Sequence, residues 1–516
     1  MVQRSLIAAL AALLLVPAAA QAATVSVHDG VLHVAGTAGS ERIMFDQLNG
    51  GSISVWNMGI DDDLAAGSGC IQTSPSQAQC APDGIERTLV ELGGGDDEYL
   101  PGRFTIPTRV EGGAGDDTLA DDTGVDELYG GEGDDVLWMD AGPDADPDVL
   151  YGGPGYDQAS YGQFRGDGGI GVRLSIDGVA NDGVPGEGDD IHTDIEALNG
   201  GYDDDVLIGT PGDNELDGRS GHDVLYGLGG DDLLRGGEDT DQLYGGEGFD
   251  VADYSWEWDP VVVTLDGQAN DGTSGENDLV SGDIEGAVGG YGDDVLTGNA
   301  GDGLLAGLEG DDRIVDPGGE DLLEGDDGDD EIEAADGAAD GVLCGDGFDA
   351  VWRDPGDEVD GDCERVTAGR RSVTPTPTPT PTPTATATAT PTAGPVRNTV
   401  FPTRRPRPAQ APDVTPPTAT VLQSTGRARA ATLRRSGLLL TVRCNEICRA
   451  SAEITGSRGT VASGARPGLS FQERRMRVRL SAAGKRALRP GRYQLKVTLT
   501  DRAGNKTTIV RPLRVK

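Results

Sequence analysis

The chain has 516 residues, with 89 Asp/Glu against 40 Lys/Arg, 81 glycines, 4% aromatic residues and a net charge of −49. That average hides a split: residues 23–366 hold 84 acidic residues against 11 arginines and no lysine, whereas residues 367–516 hold 28 Lys/Arg against 5 acids. A compact domain this acidic is opposed by its own repulsion unless cations offset the charge, and such a surface excludes nucleic acid as a partner of that half.

At the start, Arg4 precedes an apolar run from Leu6 to Ala20, which ends in the small-x-small site Ala20-Gln21-Ala22. This predicts a secretory signal peptide over 1–22, too short and wrongly flanked for a membrane anchor. No later stretch approaches about 20 apolar residues. The mature protein is therefore expected to be secreted, either free or associated with the cell surface.

Residues 23–91 read as short alternating strands, such as Thr24–Val27 and Val31–Val34, broken by Gly and Asp turns, and are expected to form an N-terminal cap. Residues 92–366 are a glycine and aspartate repeat. Residues 367–417 are Thr/Pro-rich, with 374–392 nearly pure Thr-Pro and Thr-Ala. Such sequence cannot bury a core and is expected to be an extended polyproline II spacer, reaching on the order of 130 Å from Thr374 to Pro417. Its threonines are open to O-glycosylation.

Residues 418–516 show period-two strands, Leu438–Cys444, Met476–Leu480, Tyr493–Leu499 and Thr507–Val515, with a turn at Asp501–Asn505. This patterning predicts a small basic β-sandwich. It resembles the immunoglobulin-like or fibronectin-type modules appended to bacterial surface proteins. With Met476, Val478 and Leu480 facing inward, Arg477 and Arg479 face outward, so an anionic cell-wall polymer or surface glycan is the partner expected for it.

Six cysteines fall into three close pairs, Cys70/Cys80, Cys344/Cys363 and Cys444/Cys448. An even count in an oxidising compartment predicts three local disulfides. Metal binding by Cys444 and Cys448 is the alternative, although no further Cys pair or His lies nearby to complete a zinc site.

The repeat has a period of nine. Its clearest copies are Gly112-Gly113-Ala114-Gly115-Asp116-Asp117-Thr118-Leu119-Ala120, Gly130-Gly131-Glu132-Gly133-Asp134-Asp135-Val136-Leu137-Trp138 and Gly289-Gly290-Tyr291-Gly292-Asp293-Asp294-Val295-Leu296-Thr297. Six more run in unbroken register from Gly200, Gly209, Gly218, Gly227, Gly236 and Gly245. Positions one, two and four favour Gly, position six Asp, and position eight Leu or another apolar residue. Glycines allow positive φ, so the chain bends sharply and turns its carbonyls to one point. The sixth-position Asp adds a hard anionic oxygen, and the eighth residue points inward from a short strand. Two nonamers then make one coil, and coils stack in parallel ladders. Turns eighteen residues apart lie above one another and enclose oxygens in a cage suited to Ca²⁺ rather than to Mg²⁺, which demands a tighter octahedron. Transition metals would want His or Cys, and the repeats offer only His222.

The motif resembles Gly-Gly-x-Gly-x-Asp-x-apolar-x of the RTX (haemolysin-type) β-roll, over about 92–366. The resemblance implies an all-β fold, a right-handed parallel β-roll or β-helix, with several Ca²⁺ ions between stacked turns. It implies carboxylate ligands at Asp117, Asp135, Asp205, Asp223, Asp232, Asp241, Asp250, Asp294, Asp312, Asp321 and Asp330, and at the less regular turns Asp97, Asp126 and Asp157. The turn glycines implied are Gly112, Gly113, Gly115, Gly130, Gly131, Gly133, Gly200, Gly218, Gly221, Gly230, Gly245, Gly248, Gly289, Gly292, Gly310 and Gly328. Departures fall at Asn214 and Gly303, which occupy position six, and at Asp203 and Asp239, which replace the fourth glycine; weak or absent binding is expected there. Facing turns suggest roughly eight to twelve sites.

A longer unit is duplicated at an offset of 89: Asp177-Gly-Val-Ala-Asn181-Asp182-Gly183 recurs as Asp266-Gly-Gln-Ala-Asn270-Asp271-Gly272, and Asp194-Ile-Glu196 as Asp283-Ile-Glu285. It is expected to interrupt the roll twice with a wider coil or loop, which either holds further calcium or is plainly acidic. The last coil is expected to be stapled by Cys344 and Cys363. Tyr254, Trp256 and Trp258 alternate and are expected on one strand face, as a packed cluster or a sugar-stacking surface. Trp138 and Tyr151 are expected at the surface or edge.

No His-Glu-x-x-His, Gly-x-Ser-x-Gly or Cys/His pairing points to a nucleophile, and the four histidines are scattered. The function expected is a non-catalytic, secreted calcium-binding repeat protein whose roll folds on the ion. The alternatives are a calcium-dependent adhesin or glycan-binding surface protein, and a hydrolase or epimerase carrying the repeats.

Overall fold

A computed structural model describes residues 22–370 apart from breaks at 48–50, 59–62, 103, 122, 140–145, 162–170 and 362, together with strand segments between 419 and 515. Residues 1–21 of the expected signal peptide and the expected Thr/Pro spacer beyond 370 lie outside the described residues. The chain divides into two units, Met1–Val366 and Thr367–Lys516. The described residues contain strands and turns and no helix, hence none long and apolar enough to cross a membrane.

The acidic unit is a parallel β-roll with two faces. On face one, strands including Thr118–Ala120, Val136–Met139, Gln158–Tyr161, Ala197–Asn199, Glu215–Ser220, Leu233–Glu238, Val251–Asp253, Gly286–Val288, Leu304–Glu309, Leu322–Asp327 and Gly341–Asp346 pair in succession, all parallel. Regular coils advance eighteen residues, as in Glu215↔Leu233 and Leu304↔Leu322. This is the length of two nonamers, so each residue stacks on its own repeat position.

That stacking accounts for the core. The eighth positions, among them Leu119, Leu137, Leu207, Leu216, Leu225, Leu234, Leu243, Leu296, Ile314 and Ile332, are all completely buried between the faces. Short strands with one inward residue suffice because each coil receives its second contact layer from its neighbours.

Face two is divided into three sheets, and the duplicated units cause the division. Arg173–Ser175 opens the second sheet by pairing with Val206–Ile208, whereas Asp190–Ile191 closes the first by pairing with Val149–Tyr151. In the second copy, Val262–Thr264 opens the third sheet against Val295–Thr297, and Asp278–Val280 closes the second against Gln242–Glu247. The expected interruption is thus confined to one face. Face one continues past both units, with Gln158↔Ala197 and Val251↔Gly286 in register.

The N-terminal strands prolong both faces. Val31–Thr37 pairs parallel with Arg87–Gly93 on face two, and Arg42–Gln47 with Glu98–Pro101 on face one. Antiparallel strands Ile53–Asn57, Gln77–Cys80 and Cys70–Ser74 continue outward from there. Phe45, stacked on Phe104 and edge-on to Tyr99, fills the first coils. Disulfides join Cys70 to Cys80 and Cys344 to Cys363. The second links the buried Cys344 of one coil to the segment between Glu358–Val359 and Arg365–Ala368, the last strands described to stack on the two faces. Cys444 and Cys448 lie where only the backbone is described.

The turns use glycine for two separate reasons. At position four, Gly248 has φ +149, and a β-carbon there would overlap the carbonyl oxygen of Gly230 in the coil beneath. Gly248→Ala is expected to cost on the order of 3 kcal/mol, combining strain with backbone overlap, and should show as an early loss of tryptophan signal in thermal melts.

In the basic unit, Ala419–Leu422, Leu438–Cys444 and Arg474–Val478 form one antiparallel sheet. Arg427–Ala428, Lys506–Val515, Gly491–Asp501, Cys448–Gly456 and Gly459–Leu469 form another. Two sheets of strands fit the sequence patterning. The last two strands were not anticipated, because Cys448–Leu469 is rich in Ala, Ser and Gly and lacks strict apolar alternation.

Candidate metal centres along the turn edges

The sixth-position carboxylates form ladders along both edges of the roll. Oδ1 of each accepts the amide of its counterpart one coil earlier: Asp97 N to Asp117 (2.8 Å), Asp117 N to Asp135 (2.8 Å), and Asp135 N to Asp157 (2.9 Å). The same bond joins Asp205 to Asp223, Asp223 to Asp241, Asp232 to Asp250, Asp294 to Asp312 and Asp312 to Asp330. Asp126 belongs to the second edge, accepting the amide of Thr108 at 2.8 Å. A charge-assisted bond from coil to coil sets the turn register.

The other oxygen is different. Oδ2 of Asp97, Asp117, Asp135, Asp157, Asp223, Asp232, Asp241, Asp250, Asp312, Asp321 and Asp330 is buried with no hydrogen-bond partner. In the regular turns it faces a carbonyl. A β-carbon at Gly112 would meet both Asp117 Oδ2 and the carbonyl oxygen of Gly130 in the next coil. The same holds at Gly130 for Asp135 and Gly152, at Gly218 for Asp223 and Gly236, and at Gly227 for Asp232 and Gly245. Gly200, Gly245 and Gly289 likewise leave room for the carboxylates of Asp205, Asp250 and Asp294.

This corrects the expected role of the first glycine. It is required for clearance, whereas positive φ belongs to position two, as in Gly113 and Gly131, and to position four, as in Gly115, Gly133, Gly221, Gly230, Gly248 and Gly310. Gly292 and Gly328, also at position four, lack positive φ and instead accommodate the backbone of Pro260 and Gly310.

Burial raises these carboxyls far above their ordinary range, with neighbouring carboxylates adding to the effect. Asp117 is pushed to about 7, Asp223 and Asp312 to about 8, and Asp232 to about 9. Buried anionic oxygens that lack donors and face carbonyls fit a hard cation with oxygen ligands. The residues present therefore suit Ca²⁺. When bound, it would supply positive charge between coils that otherwise repel.

Residues 111–145, 199–234, 218–252, 287–314 and 306–338 match the family model described as the RTX calcium-binding nonapeptide repeat (4 copies). These segments of the roll are similar to RTX repeats. No curated protein matches the chain.

Within the roll, turns that share the same repeat positions are not equivalent. Asp205 and Asp294, each in the first turn after a duplicated unit, use Oδ2 to accept the position-two amide of Gly201 (2.5 Å) and Gly290 (2.6 Å). Asn214 satisfies itself as well: Oδ1 accepts the Thr210 amide, and Nδ2 donates to the Glu196 carbonyl at 3.1 Å. An amide there takes up a carbonyl that a cation would otherwise meet, so the reduced binding expected of this copy has a structural cause.

The ladders also recruit residues outside the nonamer. Glu196 and Glu285 accept the amides of Asp157 and Asp250, and Asp189 and Asp278 accept those of Asp148 and Asp241. The offset-89 recurrence of Asp194-Ile-Glu196 was the sequence signal for the glutamates. Inside the duplicated units Asp182 and Asp271 spend both oxygens on backbone amides, at Ser175 and Ile191 and at Thr264 and Val280. These two carboxylates hold the loops together.

The aromatic reading is corrected. Tyr254 is buried, its hydroxyl donating to Asp278 at 3.1 Å just as Tyr161 donates to Asp189. Trp256 and Trp258 lie beyond the strand Val251–Asp253 in a turn, 61% and 77% exposed. Trp256 covers Arg235, which bridges Asp217 and Asp253, while Trp258 stacks on Tyr291. The alternation fails because the chain leaves face one to begin the second duplicated unit. Trp138 lies near the Arg219 guanidinium, and Tyr151 stacks on Tyr129 along face two. His222 accepts the Thr240 amide one coil on.

Proposed function

We infer that this is an extracellular, non-catalytic calcium-binding protein whose roll becomes ordered on taking up several Ca²⁺ ions. The spacer and basic β-unit then serve to hold it at an anionic surface. One observation carries the calcium reading: two edge ladders of buried carboxylates whose second oxygens face glycine carbonyls of the next coil. The extracellular assignment is supported by the signal-like N-terminus and by two disulfides in the acidic unit. The surface role is supported by the basic composition of residues 367–516.

Calorimetric titration of the mature chain with Ca²⁺ is expected to saturate at several ions, roughly eight to twelve. Mg²⁺ at equal concentration should produce little heat. Saturation by Mg²⁺ with the same stoichiometry, or no heat with Ca²⁺, would contradict the reading.

A second reading, calcium-dependent glycan binding, is favoured by the exposed Trp258–Tyr291 stack, with ring centroids 4.5 Å apart. Glycan-array signal that disappears with chelator and with Trp258→Ala would support it.

A further inference from the structure

We propose that Asp316 joins the sixth-position carboxylates Asp321 and Asp340 in a three-carboxylate calcium site, one carboxylate more than facing turns of the repeat bring together. It rests on the reading that the roll's buried carboxylates take a hard divalent cation. It adds a ligand, Asp316, that the nonamer pattern does not describe.

The nonamer Asp316-Pro-Gly-Gly-Glu-Asp321-Leu-Leu-Glu324 has an aspartate at position one, where its neighbours keep glycine to clear the sixth-position carboxylate. Here two carboxylates must share that space. The turn eighteen residues earlier has Gly303 at position six and so brings no sixth-position carboxylate, while the next coil contributes Asp340. One oxygen from each of Asp316, Asp321 and Asp340 lies within 4.8 Å of the other two.

Their hydrogen bonding divides the oxygens. Asp316 Oδ1 accepts the Gly318 amide at 2.8 Å, and Asp340 Oδ1 accepts the Asp321 amide at 3.0 Å. Oδ2 of Asp340 is buried without a partner, while the Asp316 and Asp321 carboxyls lie close enough to share a proton when no cation is present; Asp316 and Asp340 are only 6% and 2% exposed. A neutral donor is supplied beside them, since a β-carbon at Gly319 would meet both the Gly301 carbonyl and Asp321 Oδ2. The charged groups acting on the cluster from adjoining turns, Asp302, Asp336 and Asp357, are all acidic. Three like charges hold this geometry when a cation lies among them. All-oxygen donors with no His or Cys select Ca²⁺, and a higher ligand charge strengthens its binding.

The test is calorimetric Ca²⁺ titration of the full chain as wild type, Asp316→Asn, Asp340→Asn and, as a repeat-site control, Asp232→Asn. Asparagine keeps the oxygen that accepts the backbone amide and removes the charge. Each of the first two variants is expected to lose one ion from the tightest class, while Asp232→Asn keeps that class intact. Asp316→Gly restores the residue found at position one elsewhere and should lose the same ion without disturbing the fold. An unchanged tight class in Asp316→Gly and Asp340→Asn would overturn the proposal and leave the repeat sites standing. Wild type that takes up no Ca²⁺ would overturn both.

Discussion

Excess chelator is expected to unfold the acidic unit of the full chain at room temperature, and restoring Ca²⁺ should refold it. All five tryptophans, Trp56, Trp138, Trp256, Trp258 and Trp352, lie in that unit, so intrinsic fluorescence reports on it without interference from the basic unit. One site at a free concentration 100-fold above its dissociation constant contributes about 2.7 kcal/mol, and four such sites about 11 kcal/mol. That is as large as the whole stability of an ordinary domain. The roll has little else to draw on, because each coil contributes only two or so inward apolar residues while stacking carboxylates on both edges. Binding energy is then folding energy. Fluorescence and circular dichroism unchanged after exhaustive chelation would sink this expectation.

Acidification of the chelated chain is expected to restore the roll. Burial lifts Asp157, Asp223 and Asp312 to about 8 and Asp232 to about 9, from an unperturbed value of 3.8. A carboxyl whose folded pKa lies above its unfolded pKa binds protons more strongly in the folded state. Stability therefore falls with rising pH between about 4 and about 9, and the penalty is complete above that window. Metal-free protein should thus gain ordered signal between pH 8 and pH 5. In saturating Ca²⁺ the slope reverses, because protons compete with the ion for the same oxygens; melting temperature should then fall as pH drops toward 5. Parallel pH series with and without chelator check both limbs, and curves of the same sign would refute the assignment of these carboxylates as ligands.

Between the two conditions lies the reason such an acidic unit can fold at all. The Oδ1 ladder is satisfied by backbone amides in either state, so register does not depend on the ion. The Oδ2 row alone is left to be neutralised, by proton or by metal. Asn214 shows the third solution: an amide side chain that bonds to the carbonyl and needs neither.

Much of this was legible in the sequence because the repeat is strictly local. Nine-residue spacing, position-eight apolar residues and sixth-position aspartates are sufficient to specify a stacked parallel roll, since eighteen residues return each side chain to its own position. The duplication at offset 89 likewise announced two matching interruptions. Other features depend on which coil lies above or below, and no local pattern encodes that. Asp205 and Asp223 occupy the same repeat position, yet only Asp205 stands next to a duplicated unit and turns its second oxygen onto Gly201. Glu196, Glu285, Asp189 and Asp278 complete the ladders although they fall outside the nonamer. Asp316 and Asp340 are 24 residues apart and meet only where the stack sets their coils one above the other. Period and chemistry are properties of the chain, whereas burial of a particular oxygen is a property of the stack.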